Sequence, residues 1–315
     1  MAPSTHPSQI GILVYPDSQH SAVLGLTDLL EAADRLRKAK GVSAAGIEVK
    51  HWHAKDGLPA PQRPLDALIL PPSLGGEPPA RMDPALIRWI QQRHKEGTLI
   101  CSVCAGAFLL AATGLLDGRA ATTHWALAEA FARRFPTINL DTDRLLIDDG
   151  DLITAGGLMA WVDLGLKLVD RFLGPAIMLT TARFFLVDPG GREQRFYSTF
   201  APHLTHGDAV ILKLQHWLQA RSAERLTVPM MARRAMVGER TFLRRFNKAT
   251  GLNPTQYLQL IRVGKARELL ESSALAMDEI AWQVGYEDPG AFRKVFMKIM
   301  GLSPGEYRRR FGTSR

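Results

Sequence analysis

Cysteine is almost absent from this chain. Its two residues, Cys101 and Cys104, out of 315 cannot build a disulfide framework, and the scarcity fits a reducing, cytoplasmic compartment. Long apolar runs are missing as well. No uncharged apolar stretch reaches the ~18 residues that a membrane-spanning helix needs, so no membrane partner is expected. The first eight residues lack the basic and apolar regions of a signal peptide and are expected to form a loose tail. Net charge is missing from most of the chain. Residues 1–221 carry 22 Lys and Arg against 22 Asp and Glu, whereas residues 222–315 carry 17 against 9. The whole excess of +8 therefore lies in the C-terminal third. A basic region joined to a neutral one points to a polyanion-binding module attached to something else. The length suffices for two domains, each with its own core.

What the basic third contains is a repeat. Phe242, Phe246, Lys248, Gly251, Leu252, Pro254 and Tyr257 recur 50 positions later as Phe292, Phe296, Lys298, Gly301, Leu302, Pro304 and Tyr307. In the first copy, residues 228–235 read as a short helix, 236–238 as a turn containing Gly238, and 239–250 as a second helix. Two helices joined by a three-residue turn with glycine form a helix-turn-helix unit. Phe242 and Phe246, four apart, would anchor the second helix inward. Arg240 and Arg244 then share the opposite face, with Thr241, Arg245 and Lys248 beside them. Arginine can bond two guanine acceptors at once in the major groove, while flanking cations bind phosphates.

In the second copy, residues 278–284, a turn at 285–287 and a helix over 289–299 repeat the plan. Asp288 is the expected N-cap and Pro289 the first helical residue. Arg293, Lys294 and Lys298 are the DNA-facing candidates, and the small Gly290 and Ala291 would let the helix approach base edges. A helix over 255–271 joins the copies. Its length of roughly 25 Å, with the width of each unit added, would put the two reading helices about one DNA turn (~34 Å) apart.

The first half alternates apolar strand-like runs (residues 10–15, 47–52, 67–70 and 99–103) with amphipathic helical stretches (23–40, 84–96 and 105–116). Weaker strands at 145–147 and 152–154 precede a helix over 158–173. Such alternation predicts an α/β fold, a parallel-sheet sandwich of flavodoxin-like type, followed by an all-α domain. Residues 183–187 and 194–199 read as two strand-like pieces about a turn at 188–191, and a helix begins near Asp208.

The segment around Cys104 has the form strand, sharp corner, helix. A cysteine there sits at a helix N-terminus, where the dipole favours a thiolate and backbone N–H groups can face an anion. On this segment alone, a reactive thiol and a small buried cysteine remain equally good readings. Cys101 and Cys104 would lie about 10 Å apart on an extended strand, beyond disulfide reach. His51, His53, His203, His206 and Asp208 read as polar surface and helix caps, not as metal ligands, and no cofactor is expected.

Residues 222–312 resemble the DNA-binding domain of AraC/XylS-type transcriptional regulators. The resemblance rests on Ile280, Ala281, Gly285, Tyr286, Phe292, Phe296, Lys298, Gly301, Pro304, Tyr307 and Arg308. It implies two helix-turn-helix units on adjacent major-groove segments of double-stranded DNA. Residues 9–175 resemble the ThiJ/PfpI family, whose fold is that of class I glutamine amidotransferases. Ile10, Tyr15, Pro16, Leu70, Pro71, Cys104, Gly106, His124, Trp125 and Gly157 carry that likeness. The joined halves resemble the GlxA branch of AraC regulators.

Against that family pattern the departures matter. Where hydratase-like members have an acidic residue after the first strand, this chain has Ala22. The threonine after the elbow cysteine is Ala105, and the Pro-Gly-Gly loop reads Pro71, Pro72, Ser73. Proline has no N–H to offer an oxyanion, and a thiol without a positioned base has no efficient route for proton transfer. The resemblance therefore implies a degenerate elbow, with no catalytic residue, in a domain that binds a small nitrogenous metabolite without turnover. Cys104, Ala105, His124, Ala22, Pro72 and Ser73 would line its pocket.

The expected boundaries are a tail (1–8), a ligand-sensing domain (9–175), a connecting segment with a linker helix (176–221) and a DNA-binding domain (222–315). The expected function is transcription regulation by a homodimer, with RNA polymerase as a further partner. Two alternatives stand beside it: a cysteine-dependent hydratase or hydrolase fused to a DNA-binding domain, and an architectural DNA protein indifferent to sequence.

Overall fold

The structure is a computed structural model that describes residues 6–43, 45–58, 61–75, 82–190 and 193–313. Two compact units divide the chain between Gln194 and Arg195.

In the first unit the elements run β1 (Ser8–Val14), α1 (His20–Ala39), β2 (Ile47–His53), β3 (Ala67–Leu70), α2 (Pro84–Lys95), β4 (Leu99–Val103), α3 (Gly106–Ala112) and β5 (Ala120–Ala121). There follow α4 (Ala128–Arg134), β6 (Asn139–Leu140), β7 (Leu146–Asp148), β8 (Leu152–Ala155), α5 (Trp161–Leu173) and α6 (Pro175–Phe184). Six strands form a sheet in the order β2-β1-β3-β4-β8-β7, parallel except for the antiparallel β7–β8 pair; β5 and β6 pair separately. Alternation along each strand makes both faces apolar, as a sheet covered on both sides requires. Ile10, Ile12, Ala67, Ile69, Cys101, Val103 and Ile153 face one layer, packing with Leu26 and Leu30 of α1 and Leu164 and Leu168 of α5. Leu13, Leu68, Leu70, Ile100 and Leu152 face the other, with Leu86 and Ile90 of α2 and Phe108 of α3.

Two expectations are corrected here. Residues 183–187 are not a strand: α6 carries the chain through Phe184, and 194–196 form a single 3-10 turn. Pro175 starts that helix after Gly174, and Ile177, Thr181 and Ala182 are buried at helical spacing. The strand-like appearance came from Phe184, Phe185, Leu186 and Val187, and of these Phe184 and Leu186 are exposed. Secondly, residues 176–221 are not one connecting segment. Ile177 of α6 belongs to the core of the first unit, whereas α7 (Ala209–Arg221) supplies Ile211, Leu214 and Leu218 to the core of the second.

The second unit continues with α8 (Val228–Arg234), α9 (Glu239–Thr250), α10 (Pro254–Ser272), α11 (Met277–Gln283), α12 (Pro289–Met300) and α13 (Pro304–Phe311). Its 50-residue repeat is structural as well as sequential. Phe242, Phe246, Phe292 and Phe296 are all fully buried. Phe246 meets Tyr257 edge-on at 5.3 Å between centroids, and Phe296 meets Tyr307 at 5.6 Å. Gly251 and Gly301 end α9 and α12 in the left-handed conformation (φ 73° and 71°), where glycine avoids the clash a Cβ would suffer. Asn253 with Gln256 and Ser303 with Glu306 then make matching capping boxes. The two copies keep separate cores, one built on Tyr257, Leu258 and Ile261 of α10, the other on Val263, Ala266 and Leu270 further along it. That single helix is a spine for both.

Candidate DNA-reading face and elbow site

On α9, burial of Phe242, Phe246 and Ala249 leaves Arg240, Thr241, Arg244 and Lys248 exposed on the other side. On α12, burial of Phe292, Phe296 and Met300 leaves Arg293, Lys294 and Lys298 exposed and Gly290 and Ala291 half-buried. Asp288 caps α12 by accepting from the N–H groups of Gly290 and Ala291 at 2.8 and 3.1 Å, as its position before Pro289 predicts.

Two expected DNA contacts are engaged within the protein. Arg245 is half-buried, and its Nε and Nη2 donate to the carboxylate of Asp208 at 2.9 and 2.8 Å. Asp208 also caps α7 through the N–H groups of Val210 and Ile211, and the guanidinium beside it holds its carboxyl below the usual range. The repeat already carried this signal, because the residue 50 positions after Arg245 is Val295, which packs against the second core. Arg293 remains exposed but is paired with Asp278 of α11. Three further residues, missed by counting charges, lie on the exposed sides of the reading helices: Leu243 and Asn247 on α9 and Met297 on α12.

In the first unit the corner between β4 and α3 has the expected geometry. Cys104 has φ 54°, a left-handed value that L-residues other than glycine rarely hold. Gly106 makes the corner possible: a Cβ there would overlap the carbonyl oxygen of Leu70 and lie 2.8 Å from that of Pro71. Cys104 N–H donates to Ala155 O at 2.7 Å, and Thr123 Oγ1 donates to Cys104 O at 2.8 Å.

The chemistry of the corner is muted. Cys104 is 3% exposed, and burial pushes its thiol up from 9.0 to about 11, despite hydrogen bonds from the backbones of Ala105 and Gly157 that favour the thiolate. Tyr15, whose hydroxyl donates to Pro71 O, is raised by burial and then by the neighbouring Cys104. His124 accepts the N–H of Ala126 on Nδ1 at 3.1 Å, and burial lowers its proton affinity. A ring accepting through Nδ1 is neutral there. Among the described residues no hydrogen bond joins His124 to Cys104.

The residues expected to line a pocket differ in exposure. Ala22, Ala105 and Pro72 are buried, Ala22 with no exposed surface, so its methyl group faces protein and not a ligand. Ser73 and His124 are half-buried. Pro72 O accepts from Gln19 N at 2.8 Å and Leu74 N donates to Asp17 O at 2.9 Å, so the loop is tied to residues 17–19. A cavity of about 360 Å³ exists elsewhere, between Leu145 and Leu146, the Asp163, Leu166 and Lys167 face of α5, and Met178 of α6. None of the six expected ligand residues lines it.

One residue that sequence reading passed over holds the wall behind the elbow. Gln194, buried, donates from Nε2 to Thr122 Oγ1, Thr123 O and Arg144 O at 3.0, 2.9 and 3.0 Å and accepts from Trp125 N at 3.2 Å.

An α/β unit with a strained elbow cysteine, followed by two helix-turn-helix copies with cationic reading helices, defines a DNA-binding transcriptional regulator. Comparison with known proteins agrees: residues 56–171 match the DJ-1/PfpI family and residues 231–310 match a helix-turn-helix domain. The chain is 32% identical over 249 residues to the HTH-type transcriptional regulator GlxA of Rhizobium meliloti, covering 76% of this chain and 74% of the relative. It is 28% identical over 256 residues to the regulator CdhR of Pseudomonas aeruginosa, covering 80% and 75%. The isonitrile hydratase of Pseudomonas putida is 28% identical over 174 residues, covering 53% of this chain and 72% of the enzyme. The chain belongs to the GlxA branch of AraC-type transcriptional regulators.

Proposed function

We propose that this regulator binds its promoter sites sequence-specifically and that its first unit senses a small nitrogenous metabolite without turning it over. It works in the cytoplasm as a homodimer. Arg240, Thr241 and Arg244 would read base edges on one major-groove segment, with Gly290, Ala291 and Lys294 on the next. Lys248 and Lys298 would bind phosphates, and Arg293 would join them once DNA draws it from Asp278. The observation that carries this reading is the paired cationic face raised on two identical sets of buried Phe and Tyr anchors. A surface grown only for solubility has no reason to repeat itself in register.

Absence of turnover rests on the thiol, which is buried and protonated at neutral pH and has no hydrogen-bonded base among the described residues. Without thiolate or base, a cysteine lacks the activation that covalent catalysis requires. The effector would act near the elbow by favouring one arrangement of the Thr122–Trp125 segment, for a ligand shifts an equilibrium only through differential affinity for its states. Selecting preferred sites from random double-stranded DNA, with and without amino acids and quaternary amines, tests both halves. Recovery of one motif whose affinity changes with a metabolite is the expected result. Recovery of no motif would overturn the regulator reading.

A second reading is favoured by the strained φ of Cys104 together with the isonitrile hydratase likeness: a tethered hydratase. Incubation with alkyl isonitriles distinguishes the two, since turnover abolished by Cys104→Ala would establish the enzyme.

A further inference from the structure

The exposed side of α9 is not purely polar. Leu243 is 40% exposed, three residues after Arg240, next to Arg244 and four before Asn247, so all four share one side of the helix. It is not among the half-buried apolar residues packed against the neighbouring core, which include Val237 and Leu252. A single exposed leucine on an ordinary surface needs no explanation. Here, however, the surface is the reading face, and its other exposed members after the first turn are Arg244, Asn247 and Lys248.

The occupant of such a face must supply anions around an apolar spot. Duplex DNA does so: phosphates flank the major groove, and the 5-methyl of thymine is the apolar group displayed inside it. We propose that Leu243 is a specificity-determining residue that reads a thymine methyl beside the base pairs contacted by Arg240 and Arg244. The second copy of the repeat lacks this device. Its corresponding residue is Arg293, held by Asp278, so methyl reading at this register belongs to one half of the operator only. The proposal rests on α9 being a DNA-reading helix and adds to it the base that one side chain selects.

The test uses the full-length protein and its selected operator, in which each thymine is replaced in turn by uracil, removing nothing but the methyl. Wild type is expected to lose about fourfold in affinity at one position, the ~0.8 kcal/mol of one buried carbon group. Leu243→Ala should bind the thymine operator about fourfold more weakly and be indifferent to uracil at that same position. Leu243→Met should keep most of the preference. Thermal melting of the variants checks that the exposed substitution leaves the fold intact. If every uracil operator binds as well as its parent, or if Leu243→Ala keeps the full thymine preference, the assignment is overturned while the regulator reading stands. If no operator can be selected at all, both fall.

Discussion

Gln194 fills the space that Gly156 leaves open: a Cβ on that glycine would overlap the glutamine Nε2 and lie 2.6 Å from Thr123 O. The glutamine bonds the same segment that touches the elbow, since Thr123 Oγ1 reaches Cys104 O. It is also the last residue of the first unit. The next residue, Arg195, is fixed in its own unit, where a Cβ on Gly301 would overlap its guanidinium. A change at the elbow therefore has a covalent route out of the first unit through one anchored side chain. Gln194→Leu takes the acceptor from the half-buried Trp125 N–H and leaves the Thr123 carbonyl with only a long bond from Thr122 Oγ1 at 3.4 Å, at about 1–3 kcal/mol for a buried group left unpaired. Expected are a lower denaturation midpoint for the first unit and a weaker dependence of operator affinity on effector. Full effector response in a Gln194→Leu protein would remove the glutamine from the coupling route.

Cys104 makes a prediction with a definite sign. Its folded-state pKa is raised, so the neutral thiol is the form the fold favours. Below pH 9 both folded and unfolded thiols are protonated, and the full stabilisation is present. As pH rises from 9 to about 11 only the unfolded thiol ionises, and stability falls by on the order of 2–3 kcal/mol before levelling off. Other groups titrate there too, so the measurement is the difference between wild type and Cys104→Ala in denaturant midpoints across pH 8–11. That difference should change by this amount, and alkylation of native Cys104 by iodoacetamide should stay slow through pH 8. Rapid alkylation at pH 7 would show an accessible thiolate.

The regular parts of this molecule were legible in the sequence. Strands β1, β3 and β4 show as apolar runs because parallel strands buried on both faces tolerate little else, and the double helix-turn-helix shows because it is written twice. The stretch 183–199 was misread, since Phe184 to Val187 have strand-forming side chains while the helical packing of Ile177, Thr181 and Ala182 decides the outcome. Arg245 was placed on DNA because its charge was weighed without its copy, Val295. Gln194 left no local signal: its partners are largely backbone atoms 50 or more residues away, and glutamine appears polar wherever it stands. The full burial of Ala22 was not legible either, because likeness in sequence gives positions in a fold, not the space around them.

Arg244 and Arg245 are neighbours with opposite expected phenotypes. Arg244 is exposed on the reading side, so Arg244→Ala should relax discrimination at one base pair by ~1–3 kcal/mol while leaving the melting temperature nearly unchanged. Arg245 is tied to Asp208, the cap of α7. Arg245→Ala should lower the melting temperature of the second unit and leave base preference intact. Binding titrations on the selected operator and on single-base variants, beside thermal melts, separate the two; a shared loss of specificity would show that Arg245 leaves Asp208 for DNA.

The two turns of the repeat solve one problem with different residues, and substitution should expose the difference. Met236 and Gly285 occupy matching positions, and both have positive φ, 54° and 94°. Met236 is 90% exposed, so it meets only its own backbone strain. Gly285 is enclosed: a Cβ would come within 2.6 Å of the carbonyl oxygen of Ala223. Gly285→Ala thus adds a clash with backbone to an unfavourable conformation and should destabilise the second unit by ~2 kcal/mol or more. Met236→Gly relieves strain of about 1 kcal/mol but gives the unfolded chain more freedom, so it should be neutral to slightly stabilising. Denaturant unfolding of the full-length protein, followed by a probe in the second unit, measures both. A Gly285→Ala protein as stable as wild type would mean that the turn at 285 can move away from Ala223.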